Sequence, residues 1–129
     1  MALAEQATTR VSEGAYRTAL TARMRGFIEQ NLHRADLDGT MIAGAFSMSP
    51  RSVRDVFAAH ATTPGRYILA RRLERARILL VEPAQHRRPI GDIAYAAGFS
   101  DLSYFSRSFR AAFGQSPREA REIARATRI

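Results

Sequence analysis

The stretch that decides the fold runs from Pro89 to Pro117 and reads PIGDIAYAAGFSDLSYFSRSFRAAFGQSP. Its first part is a short apolar segment that stops at Gly98, a residue that can adopt the positive φ with which helices end and chains turn. Ser100 and Asp101 follow, and both are favourable N-cap residues for a new helix. Phenylalanine then recurs every four residues, which places three rings on one buried stripe: Phe105, Phe109 and Phe113. The stretch therefore predicts a short helix, a tight turn and a longer helix.

The second of these helices has a polar outer face, separate from the phenylalanine stripe. Its members are three, four and seven residues apart: Ser103, Ser106, Arg107 and Arg110. A helix pair of this kind is a helix-turn-helix unit, whose second helix enters the DNA major groove. We expect Ser103, Ser106 and Arg107 to read bases, because a guanidinium can bind guanine in a bidentate manner. Leu102, in the first turn, either contacts a thymine methyl or only packs at the start of the helix.

The same layout occurs once more, earlier in the chain, at about residues 38–60. Asp38 offers an N-cap for a short helix, and Ser49-Pro50 combines an N-cap with proline at the first helical position of the next. Aligning Val53 with Phe105 also aligns Phe57 with Phe109. The register changes by one residue in the turn before these helices, where Ser47 corresponds to Gly98. The outer face of the second helix supplies four further candidate base readers: Arg51, Ser52, Arg54 and Asp55.

A long helix is predicted between the two units, at about residues 64–82, because Thr63-Pro64 can start it and Pro83 stops it. About 18 residues of α-helix make a rod about 27 Å long. Such a rod would hold the units at a fixed separation, compatible with major grooves that repeat about every 34 Å. Its apolar face comprises Ile68, Leu69, Leu73, Ala76 and Leu80.

The ends of the chain are simpler. Apolar residues at helical spacing predict an amphipathic helix from about residue 15 to 31: Leu20, Met24, Phe27, Ile28 and, just beyond it, Leu32. Residues 1–14 lack this periodicity and are expected to form a flexible arm or a linker. Pro117 opens a last helix, and residues 15–129 are expected to form one all-α domain of about seven helices.

Composition narrows the possible functions. The chain has 129 residues, no cysteine and a formal net charge of +8, a balance that favours a polyanionic partner such as nucleic acid. Without cysteine there are no disulfides and no thiolate metal sites. We expect no metal, no cofactor and no enzymatic activity, because no paired carboxylates or glycine-rich phosphate loop is present and the histidines are isolated. No apolar run reaches membrane-spanning length and no secretory signal is evident, so a cytoplasmic location is expected.

These motifs resemble the DNA-binding domain of the AraC/XylS family of bacterial transcription regulators, over roughly residues 16–125. The residues that carry the resemblance are Ile90-Gly91-Asp92-Ile93-Ala94, Gly98-Phe99-Ser100-Asp101, Tyr104-Phe105-Ser106-Arg107, Phe109, Phe113-Gly114, Ser116-Pro117 and Arg121, together with Met48–Ser52 and Arg72–Arg77. The resemblance implies seven helices, two helix-turn-helix units in adjacent major grooves, and regulation of transcription, usually activation through RNA polymerase. It also implies an effector domain in many members, for which 129 residues leave no room, and we expect the domain to bind DNA as a monomer.

The resemblance has two departures. The family often has arginine at the position of Asp55 and an aromatic residue at that of Ala120. A carboxylate facing DNA is repelled by phosphate unless it accepts from a cytosine amino group or pairs with Arg51, one turn earlier. We favour the Arg51–Asp55 pair, as a contact that orients Arg51.

Phosphate contacts are expected from residues beside the two helix faces that carry the candidate base readers: Ser49, Arg110, Arg118 and Arg121. The three arginines can alternatively form surface ion pairs with Glu119 and Glu122, and for Arg121 a structural pairing is an equal alternative. The tyrosine and phenylalanine positions are expected to be core.

Two rival functions remain to be weighed. A protein-interaction module is disfavoured by the outer faces of serine and arginine. Non-specific architectural DNA binding is disfavoured because two units with different outer residues suit an asymmetric site.

Overall fold

A computed structural model describes residues 2–127 and contains, in that range, seven α-helices and no strand. The helices are α1 Ala2–Asn31, α2 Gly39–Ala45, α3 Pro50–Ala58, α4 Pro64–Val81, α5 Ile90–Ala96, α6 Leu102–Phe113 and α7 Pro117–Ala126, with a short 3-10 turn at Pro83–Gln85 between α4 and α5. The first unit is α2–α3, the second unit is α5–α6, and α4 joins them. The prediction of an all-α fold with two helix-turn-helix units and a long linker helix is confirmed. None of the helices in this range is long and apolar enough to cross a membrane.

Short polar side chains fix where the helices begin. Five N-cap side chains accept a hydrogen bond from a backbone N–H in the first turn, which satisfies one of the donors that a helix start leaves unpaired: Asp38, Ser49, Thr63, Asp101 and Ser116. At α6 the cap is Asp101 and not Ser100, since Asp101 Oδ1 accepts from the N–H of Tyr104 at 3.0 Å. The helix starts are therefore encoded locally.

Two apolar clusters share α4. The first contains the buried residues of α1, α2 and α3 together with Ile68, and the second contains those of α5, α6 and α7 together with Leu73. Phe105 and Phe109 are fully buried, and Phe113 is half-buried. Their ring centroids follow one another at 5.7 and 4.7 Å, so the predicted stripe is confirmed. The change from one cluster to the other occurs within about one turn of α4.

The turns of the two units have the same backbone feature. Ser47 has φ 53° and Gly98 has φ 103°, so the correspondence between these two positions, inferred from the repeat, is confirmed. A serine is tolerated at the first turn because its φ lies in the left-handed α region, which non-glycine residues reach at a cost of about 1–2 kcal/mol. Gly98 lies further from that region, where a side chain fits poorly.

The first helix is longer than the sequence predicts. It begins at Ala2 and not near residue 15, and every described side chain before Leu20 is exposed. The prediction relied on apolar periodicity, which an exposed helix does not need. This segment lacks proline and contains good helix formers, among them Ala2, Leu3, Ala4, Glu5 and Ala7. A helix that is nucleated in the buried part can therefore extend into it. Met1 lies outside the described residues.

Candidate nucleic-acid interface

The outer face of α6 presents most of its predicted base readers. Ser103 and Arg107 are exposed, Ser106 is half-buried, and Leu102 is 43% exposed at the start of the helix. The opposite face packs Phe105 and Phe109 into the second cluster. Because the aromatic stripe fixes the rotation of α6, the serines and Arg107 are held on the surface.

The outer face of α3 is arranged similarly. Arg51, Arg54 and Asp55 are exposed, while Val53 and Phe57 are buried on the other side. Ser49, predicted to contact phosphate, is exposed and acts as the N-cap. Its Oγ accepts from the N–H of Ser52 at 3.1 Å and lies 2.9 Å from Ser52 Oγ, to which it donates. A phosphate contact from Ser49 would therefore have to compete with this capping arrangement.

The predicted Arg51–Asp55 ion pair is not formed. No ion pair among residues 2–127 joins these two side chains. Both are exposed, where the Coulomb attraction is weak and side-chain entropy opposes a fixed pair. Asp55 and Ser52 instead border a groove of about 780 Å³ between α1 and α3. The orienting role expected for Asp55 is thus wrong in this structure.

Three arginines on the two outer faces have no internal partner. Within residues 2–127, the side chains of Arg51, Arg54 and Arg107 form no hydrogen bond and no ion pair. Three arginines elsewhere in the chain form ion pairs: Arg34 with Asp36, Arg71 with Glu29 and Arg77 with Glu74. The outer faces of α3 and α6 therefore offer guanidinium groups that are available to an external anion or acceptor.

Two of the predicted phosphate contacts are surface ion pairs here. Arg118 Nε lies 3.1 Å from Glu122 Oε1, and Arg110 Nη1 lies 4.0 Å from Glu119 Oε1. These are the alternative partners that the sequence suggested. Exposed pairs of this kind are worth about 0–1 kcal/mol, so either arginine can exchange its carboxylate for a phosphate.

Arg121 does not fit a phosphate contact. It is only 8% exposed and its Nη2 donates to the Gln85 carbonyl at 3.4 Å, in the segment that follows α4. Burial, with the nearby charge of Arg125 adding to it, lowers the pKa of the Arg121 guanidinium. The side chain has no acidic partner among the described residues. Its position supports the structural alternative, in which Arg121 holds the 3-10 turn against α7.

The tyrosines were expected to be core, and this is wrong for three of the four. Tyr16, Tyr95 and Tyr104 are all exposed, and only Tyr67 packs against the first cluster. Tyr104 lies on α6 three residues before Arg107, so the two share a side of the helix. Its spacing from Arg107 is the signal that could have identified it, whereas aromatic character alone predicts a core position. Tyr104 is a candidate contact residue that the sequence reasoning missed.

Nothing in the described chain resembles a metal site. No group of three or more histidine, aspartate or glutamate side chains among residues 2–127 could hold a metal ion. The geometry of this region is that of two exposed helix faces with cationic and hydroxyl side chains, and such faces suit base edges and phosphates.

Comparison with known proteins agrees with this geometry. A family model described as a helix-turn-helix domain matches residues 42–123. The transcriptional activator RhrA of Rhizobium meliloti (strain 1021) is 39% identical over 99 residues, which are 77% of this chain and 31% of RhrA. The transcriptional activator NphR of a Rhodococcus species is 42% identical over 102 residues, which are 79% of this chain and 30% of NphR. The matched region thus spans about a third of the length of these relatives.

A solved structure of a transcriptional regulator is also similar to this chain. A transcriptional regulator from Chromobacterium violaceum, described as an AraC-type DNA-binding domain-containing protein, superimposes with a TM-score of 0.75 and 31% identity. The match covers 85% of this chain and 96% of that one. The chain therefore belongs to the AraC/XylS family of DNA-binding transcription regulators, a family of regulators and not of enzymes, and contains its helix-turn-helix domain.

Proposed function

We propose that this chain binds an asymmetric double-stranded DNA site as a monomer, with α3 and α6 in adjacent major grooves, and thereby regulates transcription in the cytoplasm. In this proposal Arg51, Arg54 and Arg107 make the principal base contacts. Ser52, Ser103 and Ser106 add hydroxyl contacts, and Leu102 lies near a thymine methyl. Asp55 accepts from a cytosine amino group, the alternative that remains once its pair with Arg51 is absent.

The observation that carries the proposal is the set of three exposed arginines without internal partners on the outer faces of two helix-turn-helix units. A guanidinium matches the O6 and N7 acceptors of guanine in the major groove. Because the residues at corresponding positions of α3 and α6 differ, the two units would read different base sequences. An asymmetric site follows from this difference.

The direction of regulation is proposed from the relatives. RhrA and NphR are both named transcriptional activators. We infer that this chain also activates, through contact with RNA polymerase when bound beside a promoter. Transcription in vitro from a promoter carrying the selected site tests this inference: activation should require the chain, and repression by it would contradict it.

The central experiment is selection of bound duplexes from a random library at physiological salt, followed by titration of the best site. Two conserved blocks about one helical turn apart would support two readers on one face of the DNA. A single block would restrict base reading to one unit. No enrichment over random DNA would leave only charge-driven binding and would contradict sequence-specific regulation.

Arg107→Ala should lower the affinity for the selected site by roughly 1–3 kcal/mol and relax the preference at one base pair, because a bidentate guanine contact is lost. Titration of the selected duplex and of single-base variants measures both effects. Arg75→Ala is the matched control, since Arg75 is exposed on α4 and belongs to neither α3 nor α6. An equal loss on selected and random DNA would remove Arg107 from the base readers.

Arg110→Ala should act differently, because a phosphate contact carries no sequence information. We expect weaker binding to every duplex alike and a salt dependence reduced by about one released counterion. The slope of log affinity against log salt concentration, measured for wild type and variant, checks this. Sequence-dependent weakening would instead place Arg110 among the base readers.

A further inference from the structure

One contact lies where the two apolar clusters meet on α4. It involves none of the residues on the outer faces of α3 and α6. Arg72 lies on α4 between Ile68, in the first cluster, and Leu73, in the second. The second unit packs on α4, and the first unit packs on both α1 and α4. Two helix pairs attached to one helix can change their relative orientation, unless a second contact away from that helix joins them.

Arg72 makes such a contact with the first unit's side of the molecule. Its Nε donates to the Leu32 carbonyl at 3.1 Å, and its Nη2 donates to the Arg34 carbonyl. Both carbonyls belong to the loop that leads from α1 to α2. Burial lowers the pKa of this guanidinium, and the charge of Asp36 partly offsets the effect. A planar fork of donors suits two carbonyls at once better than an ammonium would.

The turn between α5 and α6 approaches the same loop, the one that leads from α1 to α2. A Cβ placed on Gly98 would lie 1.9 Å from the Leu32 carbonyl oxygen and 2.6 Å from Arg72 Nε. The turn before α6 is therefore in direct contact with the loop before α2 and with the arginine that binds it. A crevice of about 290 Å³ at this junction has walls from both sides, including Asp38, the N-cap of α2, and Tyr104 on α6.

We propose that Arg72 is a positioning residue that fixes the separation and relative rotation of α3 and α6, and so sets the spacing between the two base blocks that the protein accepts. This rests on the proposed function for its DNA consequence, but the effect on geometry exists without DNA. The contact joins backbone carbonyls of the loop before α2, Arg72 on α4 and the glycine turn of the second unit. Removing the guanidinium leaves α4 and the approach of Gly98 to the Leu32 carbonyl as the connections.

The first measurement is made without DNA. Cysteines introduced as Ala58→Cys on α3 and Ala111→Cys on α6 replace exposed residues, and the natural chain has no cysteine, so spin labels attach only there. Pulsed electron paramagnetic resonance should give a narrow distance distribution for the wild-type background and a distinctly broader one for Arg72→Ala. Arg71→Ala is the matched control, because Arg71 ties α4 to Glu29 of α1 and not to the second unit.

The second measurement uses the selected duplex with one or two base pairs inserted or removed between the blocks. Wild-type affinity should fall by roughly five- to a hundredfold per step, as for a mismatched site. Arg72→Ala should bind the native spacing more weakly yet vary by less than about threefold across spacings, which is under 0.7 kcal/mol. Arg71→Ala should keep the wild-type profile.

Several results would overturn the inference. These are a narrow distance distribution in Arg72→Ala, the same broadening in Arg71→Ala, or equal weakening of Arg72→Ala at every spacing. If circular dichroism shows that Arg72→Ala is unfolded, Arg72→Lys replaces it, and an unbroadened distribution there counts against the proposal. If wild type shows no sequence preference, the proposed function fails, while the spin-label distances still decide the role of Arg72.

Discussion

Gly98→Ala should lower the free energy of unfolding by roughly 2–6 kcal/mol, from backbone strain and overpacking together. The φ of Gly98 is 103°, which L side chains rarely adopt, and an added Cβ would lie 1.9 Å from the Leu32 carbonyl oxygen. That oxygen accepts from Arg72 Nε at 3.1 Å, so moving it away also breaks a hydrogen bond. Urea unfolding followed by circular dichroism measures the loss. Since small domains are typically stable by about 5–15 kcal/mol, the upper part of this range would leave much of the protein unfolded.

Gly114→Ala separates the cost of backbone strain from the cost of overpacking. Gly114 ends α6 with φ 73°, and a Cβ there would meet nothing within 4 Å. Only the strain of a left-handed residue remains, at about 1–2 kcal/mol. Equal losses in the two variants would show that the close approach of Gly98 to Leu32 contributes nothing.

The helices and their order could be predicted because their determinants are local. The prolines after Ser49, Thr63 and Ser116 mark helix starts, as predicted, and each of these three side chains accepts from a backbone N–H. The four-residue spacing of the phenylalanines likewise fixed which face of α6 is buried. The early start of α1 was missed because it depends on propensity, which a test for apolar periodicity does not register.

Contacts between distant parts of the chain could not be predicted in this way. Arg72 and Arg121 were part of the recognised motifs, but their roles depend on carbonyls about forty positions away, at Leu32 and Gln85. An arginine that donates to backbone carbonyls has no sequence signature, since every residue carries a carbonyl. The predicted phosphate contact of Arg121 therefore differs from the structure, in which its guanidinium donates to the Gln85 carbonyl.

The exposure of the outer faces of α3 and α6 could be predicted from the sequence, whereas the interactions between side chains on those faces could not. Burial of Val53, Phe57, Phe105 and Phe109 orients both helices, so exposure of the arginines follows from the pattern. Whether two exposed side chains pair is decided by a small energy difference, which sequence spacing does not give. The predicted Arg51–Asp55 pair failed for this reason, and the base contacts themselves stay a prediction.

Phe105→Ala should lower the free energy of unfolding by about 3–5 kcal/mol, the usual cost of removing a fully buried ring. Phe105 has no exposed surface, and its ring centroid lies 4.8 Å from that of Phe99 and 5.7 Å from that of Phe109. Because it belongs to the second cluster, the loss should be concentrated there. Amide hydrogen exchange should speed up in α5, α6 and α7, while the buried amides of α1 keep more of their protection.

Tyr95→Ala is the control for this variant, since Tyr95 lies in the same unit but is 56% exposed. Its cost should stay within about 0.5 kcal/mol, as for most surface substitutions. Uniform loss of protection in Phe105→Ala would contradict independent clusters and would mean that the contacts around Arg72 and Gly98 make both units unfold as one. Loss confined to the second unit should also leave a protein that reads only the first block of the selected site. The same variant therefore tests, through exchange and through DNA selection, whether each unit binds its own half of the site.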